Sequence, residues 1–257
     1  MMWQDRSWRE LPADLAAAHF AAILPVGATE QHGPHLGTGV DYVLAERLCR
    51  AVAERTHVPM LPAIPYGCSL GHSRRWPGTL AVGPVTLINY VKDIGEWAFY
   101  SGVRRLFIVN THFTNAAPLR CALELLRAAH DELMVALINS PDISMRVREA
   151  HFADGGDWHA NDAETSLMQA IAPELVREDV VASADDPDRT EELVFAHPVN
   201  RTSTNGVTGL PSRASRAKGE GLFGFMVEDL SATILRGLTE TPPLPHSYFS
   251  SCVGDAL

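Results

Sequence analysis

Short apolar runs alternate with longer stretches of helical periodicity along the 257 residues. Residues 22–26, 58–63, 105–110 and 134–139 have the length and composition of strands. Two of these runs, Leu106-Phe107-Ile108-Val109 and Met134-Val135-Ala136-Leu137-Ile138, are almost continuously apolar. Strands buried on both faces of a parallel sheet read that way. Helical spacing predicts helices over 42–54, 85–100, 115–130 and 162–171, with a last one from about 222 to 238. Between 173 and 221 the chain is rich in Asp, Ser, Thr, Gly and Pro, which predicts loops and short strands. There is no internal repeat, low-complexity tract or linker, so the reading is one α/β domain over residues 1–257.

Polar residues gather where the apolar runs stop. Glu30 and His32 follow the first run, and His112 follows the third. Asp157, His159 and Glu164 surround the start of the helix after the fourth. In open α/β sheets ligands collect beyond the carboxyl ends of the strands, so distant segments bring these groups to one edge. Glu30 and His32, two apart, point to the same side of an extended backbone. Asp41 has a plain alternative role as a first-turn acid facing a helix dipole, and Glu164 has a similar one. His112 alone reads as a hydrogen-bonded loop histidine. Together, two imidazoles and three carboxylates suit zinc or manganese. Five ligands exceed one tetrahedral site but serve two ions about 3.5–4 Å apart if a carboxylate bridges them.

The composition narrows the setting without naming a function. Hydrophobic residues at 46% and charged residues at 20% fit a globular chain with a substantial core. A net charge of -10 argues against nucleic-acid or acidic-membrane partners. Cys49, Cys68, Cys121 and Cys252 are too scattered for a disulfide framework. The polar N-terminus does not lead a signal peptide, and no apolar run approaches a membrane span. These features predict a cytoplasmic protein.

A family resemblance joins the fragments. The stretch Leu24-Pro25-Val26-Gly27-Ala28-Thr29-Glu30-Gln31-His32-Gly33-Pro34-His35-Leu36, followed by Asp41, resembles the first signature of the creatininase (creatinine amidohydrolase) family. Tyr66-Gly67-Cys68-Ser69-Leu70-Gly71-His72 with Pro77-Gly78-Thr79-Leu80 is similar to its second block. Asp157-Trp158-His159-Ala160 with Glu164-Thr165-Ser166 resembles the block carrying the last metal-binding glutamate, and Gly206-Val207-Thr208-Gly209-Leu210-Pro211 a weaker later one. The resemblance implies a three-layer α/β/α sandwich with a mostly parallel central sheet, often assembled as a hexamer. It further implies a dinuclear site hydrolysing C–N bonds other than ordinary peptide bonds. By position, Glu30, Asp41 and His112 would hold one ion, and His32, Asp41 and Glu164 the other, with Asp41 bridging. Zinc is the first expectation for both ions, with manganese or iron as alternatives.

Departures from the family pattern fall at substrate-facing positions. Asn110-Thr111-His112-Phe113-Thr114-Asn115 lacks the usual glycines and has Thr114 where creatininases proper carry a glutamate. Thr165 stands where they carry a proton-shuttling histidine, Asn161 where glycine is common and Leu210 where aspartate is common. Creatinine itself is therefore not the expected substrate. A bridging hydroxide would attack an amide, lactam or formamide carbonyl, and His159, oriented by Asp157, is the first candidate general acid, with Glu30 the second. Ser69, His72, Phe113, Thr114, Trp158 and Thr165 are expected to face substrate, although Trp76 and Trp158 read first as buried core and His35 as structural. One alternative is a formamide hydrolase acting on a ring-opened pyrimidine nucleotide, with Arg74-Arg75 the nearest basic pair. Another is a metal-stabilised binding or assembly protein without catalysis. An oxidoreductase ranks last, because no G-x-G-x-x-G follows the first strand.

Overall fold

The computed structural model describes residues 1–72 and 74–244. Three parallel strands, β1 (Ala21–Val26), β2 (Arg105–Asn110) and β3 (Met134–Asn139), lie side by side in that order. Their register pairs Val26 with Asn110 and Asn110 with Asn139, so all three end at one level. Helices α1 (Leu11–Ala17), α2 (Val40–Thr56), α3 (Pro84–Tyr100), α4 (Ala116–Ala129), α5 (Met145–His151), α6 (Asp162–Ile171), α7 (Glu178–Val181), α8 (Val199–Thr202) and α9 (Arg216–Thr239) surround them.

Strand alternation builds two cores. Ile23, Phe107 and Val109 pack against α2, α6 and α9. Ala22, Leu24, Val26, Leu106 and Ile108 point the other way, against α3 and α4. The result is an α/β/α sandwich in which β1 and nearly all of β2 are buried on both faces. The strand β3 is only half-buried throughout, because one of its edges has no strand beside it among the described residues.

The expected strand at 58–63 does not form. Residues 58–64 run parallel to β1 but meet it only at the isolated bridges Ile23–Met60 and Val26–Ile64. Pro59 and Pro62 lack the N–H groups a ladder needs. Pro25 faces the same gap: Ile23 N and Gly27 N donate to Pro59 O and Ile64 O, and between them no donor is required of residue 25. The 173–221 region holds short helical turns and isolated bridges rather than the expected short strands. The last helix begins at Arg216, six residues early, because Ser215 caps it by accepting from Lys218 N.

Candidate metal centre

Just past the level strand ends, five side chains converge in a cleft. Glu30, His32, Asp41, His112 and Glu164 are each at most 4% exposed. Residues 27–31 leave the sheet as a loop outside any strand, and Glu30 and His32 both turn into the cleft. Asp41 lies in the first turn of α2, and its backbone carbonyl accepts from Thr111 Oγ1 at the end of β2. Glu164 occupies the third position of α6. Asn161 caps that helix by accepting from Glu164 N, while Glu164 Oε2 accepts from Ala160 N at 2.6 Å. The acid therefore ties down the chain just ahead of its own helix with one oxygen and keeps the other for the cleft.

The donor atoms are arranged around two points. His112 Nδ1 lies 3.3 Å from Glu30 Oε1 and 3.4 Å from Asp41 Oδ2. His32 Nε2 lies 3.6 Å from Asp41 Oδ1 and 3.7 Å from Glu164 Oε1. Two donors about 2.1 Å from a shared tetrahedral ion sit roughly 3.4 Å apart, so these gaps suit ligands of common ions. Asp41 offers one oxygen to each group. The imidazole tautomers agree: His32 Nδ1 donates to Glu30 O at 3.1 Å, and His112 Nε2 reaches the Cys68 carbonyl at 3.2 Å. Each ring thus spends its N–H on a carbonyl and turns a lone pair inward. Glu30 Oε2, His32 Nε2 and Asp41 Oδ2 are buried without hydrogen-bond partners. Buried polar atoms are rarely left so, and a cation would satisfy all three.

Electrostatics points the same way. Burial alone would lower His32, yet Asp41 and Glu164 hold it well above the usual histidine range. His112 is likewise disfavoured by burial but raised well above that range by Glu30 and Asp41. Burial opposes ionisation of Glu30 too, but His112, His72 and His159 hold its carboxyl well below the ordinary value. Three carboxylates in one dry cleft attract positive charge.

A cavity of about 530 Å³ opens over this cleft, lined by His72, Phe113, Thr114, Trp158 and His159 together with the segment from Leu193 to Val199. A second cavity of about 230 Å³ meets it at Thr111, His112, Phe113 and Trp158, and contains Asn139, Asp142 and Arg148. Other expected substrate contacts lie elsewhere. Ser69 is buried behind His112, within 3.2 Å of its Nε2. Thr165 is fully buried and bonds His35 Nε2 at 2.8 Å, so it does not line the cavity. Trp76 is half-buried under the Arg75 guanidinium, and Trp158 is half-buried in the cavity wall; neither is core.

Asp157, expected to orient His159, instead donates its backbone N–H to Asp188, and its own carboxyl is pushed up by burial and by Asp188. His159 is held by Gln31, whose carbonyl lies 2.8 Å from Nε2. Sequence reasoning passed over Gln31, since alternation placed it on the opposite side from Glu30 and His32. It also passed over Asp188, which ties the cavity rim at Gly156, Asp157 and Thr190 together. The signal available was only the acidic, turn-rich composition of the segment. Cys49, Cys68 and Cys121 are free thiols, and Cys252 lies outside the described residues.

Residues 4–234 match the family model described as creatininase, creatinine amidohydrolase. The chain belongs to the creatininase family. Creatinine amidohydrolase of Pseudomonas putida is 33% identical over 256 residues, covering 93% of this chain and 96% of that protein. A mycofactocin precursor peptide peptidase of Mycobacterium ulcerans (strain Agy99) is 32% identical over 229 residues, covering 83% and 84%. A solved creatininase variant of Zn–Zn type superposes with a TM-score of 0.82 at 30% identity, covering 93% of this chain and 98% of that one. A manganese creatininase superposes with 0.81 at 29% identity, covering 93% and 99%. The creatininase-family chain is thus an amidohydrolase with an α/β sandwich fold. No helix among the described residues is long and apolar enough to cross a membrane.

Proposed function

We propose that this chain hydrolyses a C–N bond in a cyclic amide, formamide or small open-chain amide other than creatinine, using two divalent ions shared through Asp41. The supporting observation is that Asp41 presents one oxygen to His112 and the other to His32. Glu30, Asp41 and His112 would hold one ion, and His32, Asp41 and Glu164 the other. Zinc is the first choice, with manganese or iron as alternatives, and such a pair supplies a water that loses its proton near neutral pH and a polarised carbonyl. The chain's own residues do the rest. Thr114 and Ser69 approach His112 Nε2 and steady its ring. Phe113, Trp158 and the 193–199 segment line the cavity over the cleft. With Thr165 turned away to His35, His72 and His159 are the imidazoles beside the ligand set that can move a proton.

Creatinine is disfavoured because Thr165 and Thr114 supply neither the imidazole nor the carboxylate that creatininases proper carry. A second reading takes a longer substrate, such as a peptide end. It is favoured by the two cavities meeting at Phe113 and Trp158, and by the peptidase among the relatives. The nucleotide reading loses ground: the larger cavity has no Lys or Arg among its described lining, and Arg75 is spent on the carbonyls of Asn200, Ser203 and Thr204. The non-catalytic reading must explain why all five donors remain aimed at two points.

One sheet shared by both helical layers supports a single catalytic unit. A homo-oligomer, a hexamer on family resemblance, is consistent with Tyr90, Trp97 and Tyr100 exposed on α3. Metal content per chain, by plasma mass spectrometry on protein purified without added metal or chelator, tests the proposal. Near two ions in the wild type and loss of both in Asp41→Ala are expected. Absence of bound ion after reconstitution with zinc or manganese would sink it. A panel of lactams, formamides, small amides and short peptides then separates the substrates.

A further inference from the structure

Gln31, 4% exposed, lies between two adjacent elements of the ligand set and touches neither cavity. Its carboxamide orientation is dictated by backbone groups. Oε1 accepts from Gly33 N at 2.9 Å, so that atom must be the oxygen. Nε2 donates to Gly206 O at 3.0 Å, so that atom must be the nitrogen. One amide proton remains, and it meets His72 Nδ1 at 3.0 Å. A protonated Nδ1 would oppose donor to donor, so Nδ1 carries the lone pair and the neutral His72 ring carries its proton on Nε2. That N–H faces the cleft, 3.7 Å from Glu30 Oε2.

The same residue also sets His159, with the opposite ring nitrogen facing the cleft. Its Nε2 lies 2.8 Å from the backbone carbonyl of Gln31, which can only accept. A bare Nε2 there would bring two lone pairs together, so Nε2 is protonated and the 3.2 Å approach of Gln31 Nε2 is a non-bonded contact. The lone pair of His159 therefore sits on Nδ1, which faces the cleft 3.5 Å from Glu30 Oε1. Gly206 is part of the arrangement. Its φ is +93°, and a Cβ there would come within 2.1 Å of Gln31 Oε1.

We infer that Gln31 is a positioning residue that fixes the same Nε2–H tautomer in two histidines turned opposite ways toward the cleft, so that His72 offers an N–H donor and His159 offers a lone pair. The tautomers stand on geometry alone; their use rests on the hydrolase reading. In that use His159 Nδ1 takes a proton from the attacking water as the C–O bond forms. It returns the proton to the departing nitrogen as the C–N bond breaks. His72 keeps its proton and donates a hydrogen bond to the carbonyl oxygen as charge builds there. The arrangement also removes His72 from any cation site with Glu30 and His159, since its inward nitrogen is protonated.

Two-bond ¹H–¹⁵N spectra of histidine-labelled, zinc-loaded protein read the tautomers directly, with no substrate. His72→Gln and His159→Gln assign the two rings. The expected wild-type pattern is a bare Nδ1 in His72 and a bare Nδ1 in His159, with the proton of each on Nε2, one inward and one outward. Gln31→Glu replaces the donor by an acceptor and should invert His72 to an Nδ1–H ring while leaving His32 unchanged. Gly206→Ala, which displaces the same carboxamide, should blur the His72 pattern. A wild-type Nδ1–H ring at His72 or His159 overturns the inference, even if Gln31→Glu fails to fold. So does a folded Gln31→Glu protein in which His72 keeps its wild-type tautomer. Loss of hydrolysis with intact tautomers would count against the hydrolase reading and leave the inference standing.

Discussion

His151 illustrates how one buried residue ties stability to pH. It is 1% exposed, its ring packs 4.9 Å from that of Trp158, and neither ring nitrogen has a hydrogen-bond partner. Burial pushes it down to about 4, against a smaller upward pull from Glu164, Asp142 and Asp154. The folded state therefore refuses a proton that an unfolded histidine accepts below about pH 6.5. Stability is fully present above that pH and is lost as pH falls from about 6.5 to about 4, by on the order of 1–3 kcal/mol from this residue. Urea midpoints across this window should fall less steeply for His151→Leu than for the wild type; parallel profiles would reject the assignment. At Asp41, the conservative Asp41→Asn keeps shape but removes the negative charge and leaves one neutral carbonyl oxygen where two carboxylate oxygens stood. Metal content should drop by at least one ion per chain, checked by plasma mass spectrometry.

At the scale of elements, the site depends on how α6 is held against α9. Gly219 of α9 is the close approach: a Cβ there would fall 1.8 Å from Ser166 O and 3.0 Å from the Ala170 side chain. Gly219→Ala should force the helices apart, carrying Glu164 with α6, at about 1–3 kcal/mol, or a drop of roughly 3–10 °C in Tm. Gly221 lies two residues on with nothing within 4 Å of its Cβ position. Gly221→Ala should leave Tm unchanged or raise it, since alanine is the better helix former by about 1 kcal/mol. Calorimetry on the pair separates packing from propensity. Equal Tm values would remove the close-packing argument.

For the whole molecule, the cleft joins the end of β1, the start of α2, the end of β2 and the start of α6. Bound cations would therefore act as a staple across both helical layers. Chelation followed by dialysis should lower Tm, and added zinc or manganese should restore it in a concentration-dependent way, as expected for a ligand that binds only the folded state. A Tm indifferent to chelator, in protein shown to have lost its metal, would mean that the carboxylate cluster is stable without cations.

Much of this architecture was legible from hydrophobic pattern alone. Three of four expected strands and the helix over 162–171 stand where periodicity put them, because buried strands and amphipathic helices announce themselves locally. The segment at 58–63 misled because its apolar residues fit a strand while its prolines removed the donors. The five ligand-type side chains were legible as chemistry at strand ends and as family signature. Their burial, spacing and shared cleft became visible only once the strands ended in register.

What the sequence by itself determined was the layered class, the strand ends and the inventory of ligand-type residues, since these follow from periodicity and side-chain chemistry within short windows. Tertiary structure alone decided which groups meet. Residue 31 reached residues 72, 159 and 206, Thr165 turned to His35 instead of the cavity, and Asp188 replaced His159 as the partner of residue 157. Hydrogen bonds between residues tens of positions apart have no local signature, because their geometry is set by the packing of layers rather than by the spacing of residues along the chain.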